Sequence, residues 1–493
     1  MERLINKKST MFFIVSILCL LSMAAYNVFY KLGNFPIYSW DEARHGVSAF
    51  EMIKSGNFII NKYRGHFDYW NLKPPLSFWA IILGYKIAGF NELGLRICSA
   101  IFSMGTITIT AVFLYKKQGK LASIISTLVL ATCTQYITNH ASRTGDADSL
   151  FVFLFTVAIL SLMLADRNLN WLYGSGIAFS LAFLTKSWHA GNIVVIMGLF
   201  LFFTKKYKTL SFKNWMTLCM FMILPIVVWG AIRYQYDGTE FFKNMIFYDL
   251  LHRSTSTIEH HTGGMFYYIN NLFRFSLLWG IILIFLLLLN KGISFKRIRA
   301  KKNDFWIGNT LWVLVPFILF TVATTKVRWY ILPIYPALSI IIGTVASQLL
   351  HKGNWFIKVL LSISILSVAA YYEMQIDKYI NYPPVNPKQS LIEKVKDNTH
   401  TKGDLLYIYQ PTGKVNWLQS EVLTAELTGN LKVENDGLND FLRKQKSLLL
   451  IPREENCVYL LKSHGLKIIA SNKWGCMAYK QGLGIYPKSK TRP

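Results

Sequence analysis

Carboxylates and cations concentrate in a few short stretches of this chain, and their spacing suits proton abstraction beside a phosphate. In Tyr38-Ser39-Trp40-Asp41-Glu42-Ala43-Arg44-His45-Gly46, Asp41 and Arg44 stand at i, i+3 and share a face if the stretch is helical. A carboxylate positioned by a cation can act as a general base. The same residues also read as a plain helix start, with Ser39 as N-cap and acids in the first turn. Lys73 in Asn71-Leu72-Lys73-Pro74-Pro75-Leu76 is held by two prolines, and its ammonium suits a phosphate or snorkels at an interface. In 139–149, Asp146 and Asp148 stand close to or within lipid depth, where a charge is costly and often functional. Arg143 could simply neutralise one of them. Lys186 in Thr185-Lys186-Ser187-Trp188-His189 reads as a phosphate ligand or as an interfacial anchor.

The stretch 248–268 holds Asp249, His252, Arg253, Glu259, His260 and His261. Glu259, His260 and His261 could ligate a divalent metal ion, although adjacent histidines rarely share one ion and a solvated polar loop is the more ordinary reading. Lys326 and Arg328, in Thr325-Lys326-Val327-Arg328-Trp329-Tyr330, are either phosphate binders or interfacial anchors. Taken together, Asp41, Asp146 and Asp148 supply acids, while Arg44, Lys73, Lys186, Arg253, Lys326 and Arg328 supply cations. That combination suits a base acting on an acceptor hydroxyl and cations stabilising a departing lipid phosphate. No Gly-rich nucleotide motif accompanies them.

The elements that must position these residues are apolar. Of 493 residues, 53% are hydrophobic and only 16% charged, with mean hydropathy +0.31. A soluble enzyme carries closer to a quarter charged residues. Spans are expected at about 9–30, 97–115, 121–138, 147–165, 171–186, 190–204, 214–234, 267–290, 305–323, 330–349 and 355–373, about eleven helices in all. The basic loops 116–120, 205–213, 291–302 and 351–358, with Arg3, Lys7 and Lys8, go to the cytoplasm by the positive-inside rule. The stretches 31–96, 139–146, 187–189, 235–266, 324–329 and everything after 373 then face outside. The formal charge of +27 belongs to cytoplasmic loops, and nothing in the sequence supports nucleic-acid binding. The first span reads as a retained signal anchor. Residues 74–90 read as an interfacial or re-entrant helix begun by Pro74 and Pro75.

From 374 onward, DLLYIYQ, KSLLLIPRE, CVYL and GLKIIASNKWGCMAYK form short β-rich runs, which points to a soluble α/β domain. The expected fold class is an all-α polytopic membrane domain over 1–373 with a small extracytoplasmic α/β domain over 374–493. Cys457 and Cys476 fall in the latter, as a disulfide or as two separate buried thiols.

The order of DEARHG, LKPPL, SRTGDADSL, FLTKS and KVRWYILPIYP resembles the GT-C glycosyltransferases over roughly residues 10–350. The nearest branch in appearance is that of the bacterial lipid A aminoarabinose transferases and the related dolichyl-phosphate-mannose-type protein mannosyltransferases. The resemblance implies an inner-membrane enzyme whose active site faces the periplasm or exterior. It implies a polyprenyl-phosphate-linked sugar as donor and an inverting single displacement onto a glycolipid, envelope glycan or protein. By motif position, Asp41 is the catalytic carboxylate, and Arg44 and Lys73 hold the lipid phosphate. Asp146 or Asp148 contacts sugar or acceptor, and Lys326 and Arg328 flank the lipid site. The sequence departs from the aminoarabinose transferases at Leu72, where they carry a glutamate that helps bind a metal.

Two other classes are considered. A transporter or flippase of lipid-linked sugars should show paired repeats and broken mid-membrane helices. The sequence has no internal repeat, and its polar residues gather at one face. A non-catalytic scaffold would leave the charged clusters without a task.

Overall fold

A bilayer tolerates only segments whose backbone groups pair internally, and the apolar runs of this chain are helical. The computed structural model describes residues 2–257, 261–289, 304–395, 404–409, 418–434, 437–444 and 447–480. Helices occupy Glu2–Phe29, Glu92–Gln118, Lys120–Ala131, Asp148–Leu164, Asn170–Lys186, Gly191–Phe203, Phe212–Asp237, Tyr267–Leu289, Asp304–Val322, Ile334–Lys352 and Trp355–Asn381. Each expected span overlaps one of these helices, but the one expected at 121–138 ends at Ala131 and is followed by a separate short helix, Thr134–Thr138, and the one expected at 330–349 begins as a helix only at Ile334. Among the described residues, 7 helical stretches are long and apolar enough to cross a membrane, with 170–203 taken as one run. Lys120–Ala131, Asp148–Leu164 and Ser276–Leu289 are apolar but shorter. The chain is a multi-pass membrane protein. The 13-residue helix Leu76–Ala88 starts directly after the proline pair, with Trp79 N donating to Pro75 O at 2.9 Å. At about 20 Å it is too short for a hydrocarbon core of roughly 30 Å.

The chain divides into two compact units. A helical unit comprises Met1–Lys31, Leu72–Ala80 and Cys98–Tyr382. A mixed unit comprises Leu32–Asn71, Ile81–Ile97 and Pro383–Pro493. The boundary expected at 373 therefore moves. Tyr372, Ile376 and Ile380 are buried at i, i+4, i+8, so the last long helix continues to Asn381. Most of the first long loop also folds with the C-terminal part rather than with the spans.

In the mixed unit, β1 (Lys62–Tyr63) and β2 (His66–Phe67) form a small antiparallel hairpin. A second sheet contains β3 (Leu405–Ile408), β4 (Lys432–Glu434), β5 (Ser447–Pro452), β6 (Leu466–Asn472) and β7 (Gly475–Lys480), in the order β4-β3-β5-β7-β6. β3 runs parallel to β4 and β5, while β7 runs antiparallel to β5 and β6. Tyr407, Phe441, Leu449, Ile451, Leu460 and Ala478 form its core. The CVYL run is not a strand. It lies in the helix Glu454–His464, where Cys457 and Leu460 point inward at helical spacing and Gly465 ends the helix in the left-handed region. Cys457 is bonded to Cys476, which ties this helix to β7 and selects the disulfide of the two readings.

The helix Asp41–Ser55 packs against Gln419–Gly429, all within the mixed unit. Gly46 permits the approach: a Cβ there would meet Leu423 at 2.3 Å. Further along, Glu51 of the first helix hydrogen-bonds Glu426 of the second. Glu51 also accepts from Gly65 N at 3.1 and 3.0 Å. Burial pushes both carboxyls up, Glu426 well above the ordinary 4.5. Folding thus raises proton affinity, and the folded unit keeps a proton that the unfolded chain has released. The stability this lends is complete below the ordinary value of 4.5 and is lost as pH rises through the raised value. Thermal unfolding of the purified protein should show stability falling above that ordinary value, by at most roughly 1.4 kcal/mol per pH unit for one proton. Glu426→Gln should flatten the slope. An unchanged slope in that variant would exclude Glu426 as its source.

Candidate active site

Within the mixed unit, Asp41 is the first residue of its helix and half-buried. Unpaired amide groups at a helix start favour an ionised carboxylate there. The preceding Trp40 has φ 70°, a left-handed conformation that is strained for a bulky residue. Gln419 Oε1 accepts from Trp40 N at 2.8 Å and helps hold it. Ser39 does not cap the helix. Its hydroxyl donates to Ser420 Oγ at 2.9 Å, and no side chain caps this terminus. Glu42 Oε2 accepts instead from Tyr38 N at 2.7 Å.

Sequence reasoning missed the group that fixes this entry. Arg96 is 0% exposed and grips Glu42 in a forked pair, Nε to Oε1 at 2.6 Å and Nη2 to Oε2 at 2.8 Å. Its remaining hydrogens reach the carbonyls of Phe35 and Pro36, each at 2.8 Å, and Leu32 at 3.2 Å. Of the two neighbouring acids, Glu42 is thereby structural, and Asp41 occupies the helix tip.

Arg44 does not take the helix-face role expected beside Asp41. It is buried and bonds Asp68 in a fork, Nε to Oδ2 at 2.8 Å and Nη2 to Oδ1 at 2.7 Å. Its guanidinium lies 3.7 Å from the Tyr63 ring centre and 4.9 Å from that of Trp70. Asp68 also accepts from Trp70 N and Asn71 N at 3.1 and 3.2 Å. Arg44 thus orders the aromatic stretch before the KPP motif. The signal for Asp68 was a lone acid among His66, Phe67, Tyr69 and Trp70, which specifies no partner.

The helical unit gathers a second set. Asp148 begins the helix Asp148–Leu164, and Lys186 ends Asn170–Lys186; the two are ion-paired and buried. Ser187 follows with φ 46°, and its strained turn ends the helix. Ser187 Oγ donates to Asp249 Oδ2 at 3.0 Å. Asp249 faces Arg253 Nε at 3.2 Å and Lys73 Nζ at 3.7 Å. Burial alone would raise the Asp249 carboxyl, but Lys73 and Arg253 hold it below the usual carboxylate range. Arg253 Nη1 also donates to Tyr330 OH at 3.2 Å, and Lys186 Nζ lies 5.7 Å from that ring's centre. Lys73, Lys186 and Arg253, drawn from distant parts of the chain, therefore converge through Asp249, Ser187 and Tyr330.

Asp146 Oδ1 accepts from Asp148 N at 3.0 Å. Its Oδ2 is sealed from solvent and lies 3.1 Å from His140 Nδ1. His140 stacks on Trp329 at 3.6 Å. Arg143 donates to the carbonyls of Asn27, Val28 and Tyr30 at 2.9, 3.2 and 2.8 Å, finishing the first helix, while the cation at Asp148 is Lys186. Lys326 is buried with Nζ on Ala323 O at 2.7 Å, closing the end of Asp304–Val322, and Arg328 is exposed. Of the expected metal ligands, Glu259 and His260 lie outside the described residues, and His261 accepts from Lys326 N through its carbonyl at 3.1 Å. Among the described residues, His140, Asp146 and Asp148 form a group that could hold a metal ion, with ligand atoms within 4.8 Å of one another.

A family model described as dolichyl-phosphate-mannose-protein mannosyltransferase matches residues 72–229, a stretch that includes Lys73, Asp146, Asp148 and Lys186. The undecaprenyl phosphate-alpha-4-amino-4-deoxy-L-arabinose arabinosyl transferase 1 of Pseudomonas fluorescens is 22% identical over 74% of this chain and 67% of its own length. The crystal structure of ArnT from Cupriavidus metallidurans bound to undecaprenyl phosphate superposes with a TM-score of 0.69 at 16% identity, covering 94% of this chain and 97% of that one. The chain has the fold of this membrane enzyme. The likeness extends to the archaeal oligosaccharyltransferase AglB from Archaeoglobus fulgidus, with a TM-score of 0.55 at 11% identity over 92% of this chain and 70% of that one. The chain therefore shares its architecture with proteins whose sequences differ almost completely from its own. The signatures that carried the resemblance sit at the helix ends described above, in DEARHG, LKPPL, SRTGDADSL and FLTKS.

Proposed function

We propose that this protein is a glycosyltransferase that takes its sugar from a polyprenyl phosphate and passes it to an acceptor hydroxyl on the non-cytoplasmic side of the inner membrane. The observation that carries this reading is the convergence of the half-buried Lys73 and Arg253 and the buried Lys186 on the buried acids Asp249 and Asp148 in the helical unit. Lys73 and Arg253 share Asp249 while Lys186 pairs with Asp148, an arrangement that gathers cationic side chains where a lipid phosphate could be met. The relatives' names supply the polyprenyl class of donor.

The reaction is a single displacement. By its place in DEARHG, Asp41 is the base that accepts the proton of the acceptor hydroxyl as the hydroxyl oxygen bonds to the anomeric carbon. The bond from that carbon to the phosphate oxygen breaks on the opposite face, and the configuration inverts. The electron pair leaves with the lipid phosphate, whose charge Lys73, Lys186 and Arg253 stabilise. Asp146 and Asp148 contact the sugar or acceptor, as their place in SRTGDADSL implies. Arg44 supports the site through Asp68. The acceptor is a glycolipid, envelope glycan or protein.

A divalent ion fits His140, Asp146 and Asp148, whose imidazole and carboxylate ligand atoms lie within 4.8 Å of one another. It would supply positive charge toward a phosphate. Treating the enzyme with a chelator should then lower transfer, with recovery on adding manganese. No response in wild-type protein would remove the ion from this reading.

Lys73→Ala should weaken use of the donor by roughly 10- to 100-fold in kcat/KM, since it removes one charge-assisted phosphate contact. Assays with membranes and a lipid-linked sugar at varied donor concentration would measure this. Wild-type kcat/KM in the variant would place the phosphate elsewhere.

A further inference from the structure

The mixed unit holds a cavity of about 750 Å³, which falls within the usual range for small-molecule sites. One wall is the far end of the Asp41 helix and the β1–β2 hairpin, with Glu51, Lys54, Lys62 and Arg64. The other is the Gln419–Gly429 helix and β4, with Glu426 and Lys432. Every lining residue belongs to the mixed unit.

The chemistry of the lining is specific. Glu51 and Glu426 face each other, and Glu426 Oε2 is sealed from bulk solvent with no hydrogen-bond donor among the described residues. Joining two helices through a buried acid and a half-buried one is an expensive choice, since apolar side chains of similar size would do it at lower cost. Acids kept at such a cost, one oxygen lacking a donor, fit a ligand that brings donors. Hydroxyl groups bring them. The cations divide into two kinds. Arg64 is engaged, with Nε on Val433 O at 3.0 Å and Nη2 on Glu434 at 3.5 Å, and Lys54 is bonded to Asn430. Lys432 is exposed on β4, and Lys62 is half-exposed on β1, its Nζ only 6.0 Å from the Phe67 ring centre. These two can meet an anionic substituent.

We propose that this cavity binds an anionic saccharide, with hydroxyls on Glu51 and Glu426 and a carboxylate or phosphate on Lys62 and Lys432. The cavity begins near Glu51 and Lys54, some 15–20 Å along the helix from Asp41 at 1.5 Å per residue. A ligand there is too far from Asp41 to be the reacting sugar, so the cavity holds a remote part of an extended acceptor. That role rests on the transfer reaction proposed above; the binding itself does not. Binding energy from such a remote part can be used to orient the acceptor hydroxyl.

The test uses the full chain purified in detergent and a tetragalacturonate probe, with the methyl-esterified tetramer as its uncharged counterpart. Lys62→Glu combined with Lys432→Glu should weaken binding of the carboxylated probe at least tenfold and leave the ester unchanged. Glu426→Gln should weaken both probes several-fold. Because Lys62 and Lys432 lie at the surface, their double variant keeps the test valid even if Glu426→Gln unfolds. Equal affinity of wild type and the double lysine variant for the carboxylated probe would overturn the proposal. So would displacement of the probe by millimolar inorganic phosphate, which would mark a mere anion patch. Asp41→Asn serves as the separating control. It should bind the probe like wild type while losing transfer, so a failed reaction reading and a failed pocket give different results.

Discussion

Asp41→Asn is expected to lower transfer by roughly 10²- to 10⁴-fold, the usual contribution of a positioned general base. Asparagine has nearly the same shape, so it preserves the helix start but cannot accept the acceptor's proton. The loss should therefore appear in kcat, with the KM for the lipid-linked sugar little changed. Three features single out this carboxylate over its neighbour. It sits at the tip of a helix, where amide dipoles favour the anion. It follows Trp40, whose left-handed backbone is strained and is held by Gln419. The adjacent Glu42 is already committed to Arg96. Asp41→Glu should retain partial activity, because the base survives at a displaced position. Full activity in Asp41→Asn would end the assignment of Asp41 as the base.

Arg96→Met is expected to destabilise the mixed unit by about 3–5 kcal/mol, the cost of leaving one member of a buried ion pair alone. Both side chains are at most 1% exposed, so solvent cannot compensate Glu42 once the guanidinium is gone. The same change strips donors from the carbonyls of Leu32, Phe35 and Pro36. Adding Glu42→Gln should recover part of the loss, because it removes the uncompensated charge. Thermal unfolding and limited proteolysis of the purified single and double variants measure both effects. The expected order is wild type, then double variant, then single variant. A single variant as stable as wild type would mean that the pair contributes only packing. Transfer should fall as well, since Arg96 fixes the chain that leads into Asp41.

The elements of the helical unit were legible from the sequence because lipid imposes a local rule. Each crossing segment must satisfy its own backbone, so apolar length alone identifies it. The runs at 11–26, 215–229 and 339–350 are all helical for that reason. The prolines before Leu76 likewise marked a helix start through their fixed φ. Where no bilayer acts, local pattern was a weaker guide. CVYL alone reads as β, yet the acids before it and Leu461, Lys462 and Gly465 after it make a helix with an inward face at Cys457 and Leu460.

What only the tertiary structure decided is pairing. Asp41, Asp146, Asp148, Lys73, Lys186 and Arg253 were identifiable as charges that an apolar chain retains at helix ends. Their partners were not. Arg44 lies three residues from Asp41 but bonds Asp68, twenty-four positions away, and Lys186 reaches back thirty-eight positions to Asp148. Lys73 meets Asp249 only because the chain folds. Lys326, a cation in an equally suggestive motif, closes a helix end. A buried ion pair forms where burial and geometry offset desolvation, and neither quantity is a property of sequence spacing. The sequence by itself determined that this is a helical membrane protein with acids and cations at its helix ends. Folding in three dimensions decided which of them pair with which.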